Sequence, residues 1–135
     1  ERLIAEQRLA SHVTLHGFLR IAQAAPILGQ SEIGLSPYCG RVEYSGLKLL
    51  DYKAAGLATI ASGEGGEPAV LQNGRTGWIV PPCDVDRLAE AIVALCDDRA
   101  LRRSIGQAAR AEAEAEHSWR HTAAKLQTIF FKVVN

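Results

Sequence analysis

From Glu32 to Ala61 a short apolar run, a polar loop, a helical segment, a glycine and a second short apolar run follow one another, and few folds accept that order. Glu32-Ile-Gly-Leu-Ser36 is stopped by Pro37, the pattern of a strand buried on both faces. Leu47, Leu50 and Ala54 then repeat at helical spacing between Ser45 and Ala55, and Gly56 stands where a helix can end in the left-handed conformation. Leu57 to Ala61 is short and apolar again. Strands joined through a helix run parallel, and a parallel sheet must be covered on both faces. The chain is therefore predicted to be α/β, a Rossmann-like parallel sheet with helices on both faces.

The flanking segments extend the pattern. His12-Val-Thr-Leu-His-Gly17 alternates apolar and polar residues and predicts a strand with its exit turn. Pro26 to about Gln30 predicts a short helix, with the proline in its first turn. Ser62-Gly-Glu-Gly-Gly66 is a glycine-rich turn, Glu67 to Gln72 a short helix, and Trp78-Ile-Val80 a strand stopped by Pro81-Pro82. Asp84 caps a helix with Leu88, Ala91, Ile92 and Leu95 on its apolar face, and Asp97-Asp98 prepares another. A last helix from about Ser118 carries Trp119, Ala123, Leu126, Ile129, Phe130 and Val133 on one face, which has to pack against something.

The segment Glu43 to Gly56 carries the chemistry. With Ser45 as N-cap, the amides of Gly46, Leu47 and Lys48 point forward from the positive end of a helix dipole, a place suited to a phosphate. Lys48 adds a cation there, and Asp51 shares its face one turn on. The competing reading is a capped surface helix with solvated charges. In parallel sheets, ligands bind beyond the carboxyl ends of the strands. Three segments follow predicted strands: Gly17-Phe18-Leu19, Pro37 to Gly46, and Ser62 to Gly66. One pocket using all three is expected.

Composition narrows the partners. Among 135 residues, fifteen basic and fifteen acidic side chains cancel without a long block of either sign, which argues against nucleic acid and against a polybasic membrane patch. Cys39, Cys83 and Cys96 lack metal-type or redox-type spacing and read as unrelated thiols in a reducing compartment. No metal or cofactor is expected. His16, His117 and His121 have no carboxylate at suggestive spacing. Glu1 falls inside a helical pattern without a cap and no methionine is present, so a longer parent protein is expected.

Taken in order, these segments resemble the C-terminal domain of GT-B fold glycosyltransferases, in particular glycosyltransferase family 4. That family carries two glutamates separated by seven residues; here Glu43 and Asp51 have that spacing and are followed by Tyr-Lys-Ala-Ala-Gly56, where the family reads E-x-M-A-x-G. Gly65-Gly66, Gly74-Arg-Thr-Gly77, Pro81-Pro-Cys-Asp84, Leu88-Ala-Glu-Ala-Ile92 and His117-Ser-Trp119 match further family segments in order. The resemblance covers nearly the whole chain.

The resemblance implies that residues 1–135 form one donor-binding domain of a retaining glycosyltransferase, truncated at its N-terminal side. Glu43 would contact the donor sugar and act in catalysis, and Asp51 would hold the ribose hydroxyls. Tyr44, Ser45, Gly46 and Leu47 would present amides to the diphosphate, with Lys48 beside them, and Gly17, Phe18 and Leu19 would line the base pocket. The implied partners are a nucleoside-diphosphate sugar and an N-terminal acceptor-binding domain, toward which the final helix, about 118–133, would pack. Membrane contact would come only through that other domain, and the implied location is the cytoplasm or the inner membrane face. The family's phosphate-binding Arg and Lys fall before Glu1, which implies a poor catalyst in isolation. Two departures, Asp51 for Glu and Ala69 after Pro68, keep a non-catalytic binding or scaffold module in view. A sugar-nucleotide epimerase of the same architecture is the other alternative.

Overall fold

The computed structural model describes residues 1–40, 46–66 and 68–134. Its elements are α1 (Arg2–Glu6), α2 (Ile21–Gln30), β1 (Ile33–Ser36), α3 (Leu47–Ala55), β2 (Ala58–Ser62), β3 (Trp78–Val80), α4 (Val85–Asp97), α5 (Arg99–Glu116) and α6 (Trp119–Val134). The strands form a parallel sheet in the order β1-β2-β3, with Leu35 opposite Ile60 and Ile60 opposite Trp78. Every residue of the central strand β2 is buried, whereas burial alternates in β1 and Leu35 is 40% exposed, so β1 is covered less fully than predicted.

Two cores flank the sheet. Ala58, Ile60 and Val80 pack with Ala91 and Leu95 of α4 and Ile105 of α5, while Ala61 packs with Leu49 of α3 and with Leu71. The helices thus cover both faces, as the alternating pattern requires. Burying a side chain such as Ile60 or Leu95 contributes about 1.5–3 kcal/mol, and these residues have no exposed area.

Local signals fix the helix ends. Gly56 closes α3 at φ +73°. Asp84 and Asp98 accept hydrogen bonds from the amides of Arg87 and Leu101, each at 2.9 Å, satisfying donors that the first turns of α4 and α5 leave over. At the start of α2 the Gln23 side chain accepts from the Arg20 amide at 3.1 Å, the back-bond of a capping box. That start lies earlier than predicted, which places Pro26 inside the helix.

Four other expectations are corrected. Residues 12–17 form no strand; Val13 is 37% and Leu15 61% exposed, and an extended segment without a ladder partner is not stabilised in water. Residues 68–72 form a turn in which the Leu71 amide bonds to the Pro68 carbonyl, and Gly77 backs onto Leu71, so the chain folds back before a helix can propagate; Glu67 lies outside the described residues. The buried face of α3 is Leu49 and Lys53, not Leu47, Leu50 and Ala54, and Leu47 is 70% exposed. Cys39 and Cys83 are joined in a disulfide with Cα atoms 4.7 Å apart. Their separation of 44 residues conceals the pairing, because only the parallel topology brings the loops after β1 and β3 to one end of the sheet.

Candidate functional site

The start of α3 lies at the carboxyl end of β1, since the helix runs back antiparallel to the strands it joins. The described N-cap is Gly46, whose carbonyl accepts from Leu49 and Leu50 at 3.0 and 3.2 Å. Ser45, Glu43 and Tyr44 lie outside the described residues. A Cβ on Gly46 would stand 3.8 Å and 3.9 Å from the Val70 methyl groups, so the turn after the glycine-rich segment flanks the helix start. At the other end Lys53 lies in the last turn and Arg110 donates to the Ala54 carbonyl. Cations at the C-terminus complement the helix dipole and leave its positive end as the place for an anion.

Around that start the loops after the strands are tied together. The Tyr38 amide donates to Ser62 Oγ at 3.1 Å, the Cys83 amide to the Tyr38 carbonyl at 3.4 Å, and the disulfide joins Cys39 to Cys83. A small cavity of about 130 Å³ opens here, lined by Pro37, Cys39, Ser62, Cys83, Asp84 and Leu88 among others.

Asp51 and Leu47 face a larger cleft of about 600 Å³ between α3, α5 and the start of α6, whose walls include Arg110, His117, Ser118 and Trp119. Asp51 and Lys48 are both exposed, and Lys48 does not line this cleft. Gly17, at φ +64°, and Phe18, 94% exposed, lie outside both cavities, as does the half-buried Leu19. The structure brings the strand ends and the α3 start to one end of the sheet.

Sequence reasoning missed a polar cluster beneath the site. The Lys53 side chain has no exposed area; its Nζ donates to the Val70 carbonyl at 2.7 Å and to Glu112 Oε1, and lies 3.3 Å from His117 Nε2. Glu112 Oε2 accepts from Gln72 Nε2 at 3.1 Å and is 3.9 Å from Arg75 Nη1. His117 stands 3.8 Å from Glu112, so it does have a carboxylate partner, 3.6 residues per turn having hidden the pairing across five positions and the bend that follows α5. Burial alone would raise the Glu112 carboxyl; the Lys53 hydrogen bond and the charges of Lys53, Arg75 and His117 outweigh it and hold the group below its ordinary value. The available signal was Lys53 itself, a charge four residues from Leu49 on what proves to be the buried face.

Among the described residues no helix is long and apolar enough to cross a membrane, and no cluster of three or more His, Cys, Asp or Glu could hold a metal. The aromatic residues of α6 are largely exposed: Trp119 is 88%, Phe130 65% and Phe131 64% exposed.

Comparison with known proteins agrees with this architecture. The chain is 39% identical over 88 residues to a GDP-mannose-dependent monoacylated alpha-(1-6)-phosphatidylinositol monomannoside mannosyltransferase of Corynebacterium glutamicum, covering 65% of this chain and 23% of that protein. It is 32% identical over 123 residues to a GDP-mannose-dependent alpha-(1-6)-phosphatidylinositol monomannoside mannosyltransferase of Mycobacterium tuberculosis, covering 87% of this chain and 32% of that one. The chain thus spans about a third of these relatives or less. Among solved structures, sucrose-phosphate synthase from Thermosynechococcus elongatus superposes with a TM-score of 0.85 at 27% identity, over 98% of this chain and 33% of the enzyme. The sequence model described as "Glycosyl transferases group 1" matches residues 1–98, and the chain belongs to that family.

Proposed function

We propose that this chain is the donor side of a retaining glycosyltransferase, which holds a nucleoside-diphosphate sugar at the start of α3 and delivers the sugar to an acceptor bound by a second, N-terminal domain. The observation that carries the reading is the placement of the α3 start at the carboxyl end of a parallel sheet, with Gly46 as N-cap, Lys48 in the first turn, and Lys53 and the α5 residue Arg110 at the far end. Transfer requires charge to be stabilised on the departing diphosphate, and preorganised amides in a site shielded from water can supply several kcal/mol of that stabilisation. GDP-mannose, named in both mannosyltransferase relatives, gives a donor with which to begin.

In this reading Glu43 orients the donor sugar, Asp51 accepts from the ribose hydroxyls, Tyr44 to Lys48 surround the diphosphate, and Gly17 to Leu19 close over the base. The exposed apolar face of α6 supports docking toward the acceptor domain. The test is substitution in the full protein. Glu43→Gln should lower turnover with GDP-mannose by roughly two orders of magnitude while nucleotide binding changes less than threefold, the pattern of an interaction made chiefly in the transition state. Equal turnover of variant and wild type would remove Glu43 from the reaction.

A further inference from the structure

Lys53 is a fully buried ammonium that the transfer reaction does not use. A buried charge is expensive, and a pair of apolar side chains of similar size is often as stable or more stable, so stability alone does not account for it. Its partners supply an account. Lys53 Nζ donates to the Val70 carbonyl and to Glu112, and the second oxygen of Glu112 holds Gln72 and faces Arg75. One ammonium and one carboxylate thereby fasten residues 70–75 to α3 and α5. The side chain of Val70, on the residue whose carbonyl is gripped, is the one that faces Gly46 at the start of α3, 3.8 Å from where a Cβ on that glycine would stand.

We infer that Lys53 is a positioning residue: through Glu112 and Val70 it sets the distance between the start of α3 and the turn that follows the glycine-rich segment, and so the shape of the diphosphate site. This rests on the donor-binding reading above. A core ion pair with a merely structural role would alter melting and leave ligand selectivity alone; a positioning role separates ligands that have a diphosphate from those that lack one.

The test compares the full protein with the K53M/E112L variant, which replaces the charged pair with apolar side chains. Calorimetric titrations with GDP and with guanosine are paired with thermal melting. The expected result is a folded variant whose affinity for GDP falls about tenfold, roughly 1.4 kcal/mol, with guanosine binding unchanged. GDP affinity equal to wild type in a folded variant overturns the inference. Parallel loss of GDP and guanosine binding overturns it as well, because the effect is then not on the diphosphate. If the double variant does not fold, Val70→Ala removes the methyl groups that face Gly46 while keeping the carbonyl that Lys53 holds, and must reproduce the selective loss. Absence of GDP binding by the unsubstituted protein, with UDP tested beside it, would overturn the donor-binding reading and this inference together, whereas normal binding by wild type and variant alike would overturn only the second.

Discussion

Asp51 has one methylene fewer than the glutamate of the family pattern, and on bond lengths near 1.5 Å its carboxylate reaches that much less far from the helix. It is exposed and borders the cleft between α3 and α5, so no neighbouring side chain has to move for a longer residue to be accommodated on its solvent side. In the donor-binding reading, Asp51→Glu should bind GDP at least as tightly as wild type. Asp51→Ala should weaken binding by about tenfold to a hundredfold, the worth of a hydrogen bond to a charged group, about 1.5–3 kcal/mol. Titration of both variants checks this, and an alanine variant with wild-type affinity would take the ribose role from Asp51. Lys53 shows the opposite case at the same scale. Two positions along the helix from Asp51, it has no exposed area, and its charge is directed to Val70 and Glu112 instead of to a ligand.

The packing of α5 on α3 turns on two glycines. Gly56 takes a left-handed conformation to end α3, and a Cβ on Gly106 would overlap the Gly56 carbonyl oxygen. Alanine is preferred over glycine inside a helix by about 1 kcal/mol, but backbone atoms cannot step aside as a side-chain tip can. Gly106→Ala should therefore destabilise the fold by about 1–3 kcal/mol net, read as a lower urea midpoint with an unchanged slope. Elements of this kind were legible wherever a local rule decides them. Gly56, Asp84 and Asp98 announce helix ends through single-residue chemistry, and Ile33–Ser36, Ala58–Ser62 and Trp78–Val80 are short apolar runs between breakers. What depends on partners far along the chain was not legible. The alternation in residues 12–17 looks like a strand but has no ladder, residues 68–72 have helix signals but turn back beneath Leu71, and Cys39 meets Cys83 only because three parallel strands end together. The apolar repeat of Leu47, Leu50 and Ala54 located α3 but misplaced its buried face, since the pattern gave Lys53 no weight. Near the candidate site, the position of α3 was visible from its order among neighbouring motifs, while the clamp formed by Lys53 and Glu112 was not, because the two are 59 residues apart.

Across the whole molecule the Lys53–Glu112 pair ties α3, α5 and the turn before β3, so its protonation is felt by the entire fold. Glu112 is held below the ordinary value of a glutamate, where it begins to take up protons in the unfolded chain near pH 4.3. Between the folded and unfolded values the unfolded state therefore binds more protons, and stability rises with pH across that window. The contribution is complete above the unfolded value and is lost as the pH falls through the folded one. Glu112→Gln deletes the titration and leaves the Lys53 ammonium without its counter-charge, although His117 Nε2 and the Val70 carbonyl stay within reach. At pH 6 to 7 the variant should melt well below wild type, since leaving a buried charge without its partner costs about 3–5 kcal/mol. Once the pH has fallen through the folded value, the wild-type carboxyl is protonated as well, both proteins then hold a neutral group at position 112, and the two melting temperatures should converge. Melting curves of both proteins from pH 7 to pH 3 measure this directly. A gap that stays constant across the range would show that Glu112 acts through its shape and hydrogen bonds alone, and that the charge on Lys53 is balanced elsewhere.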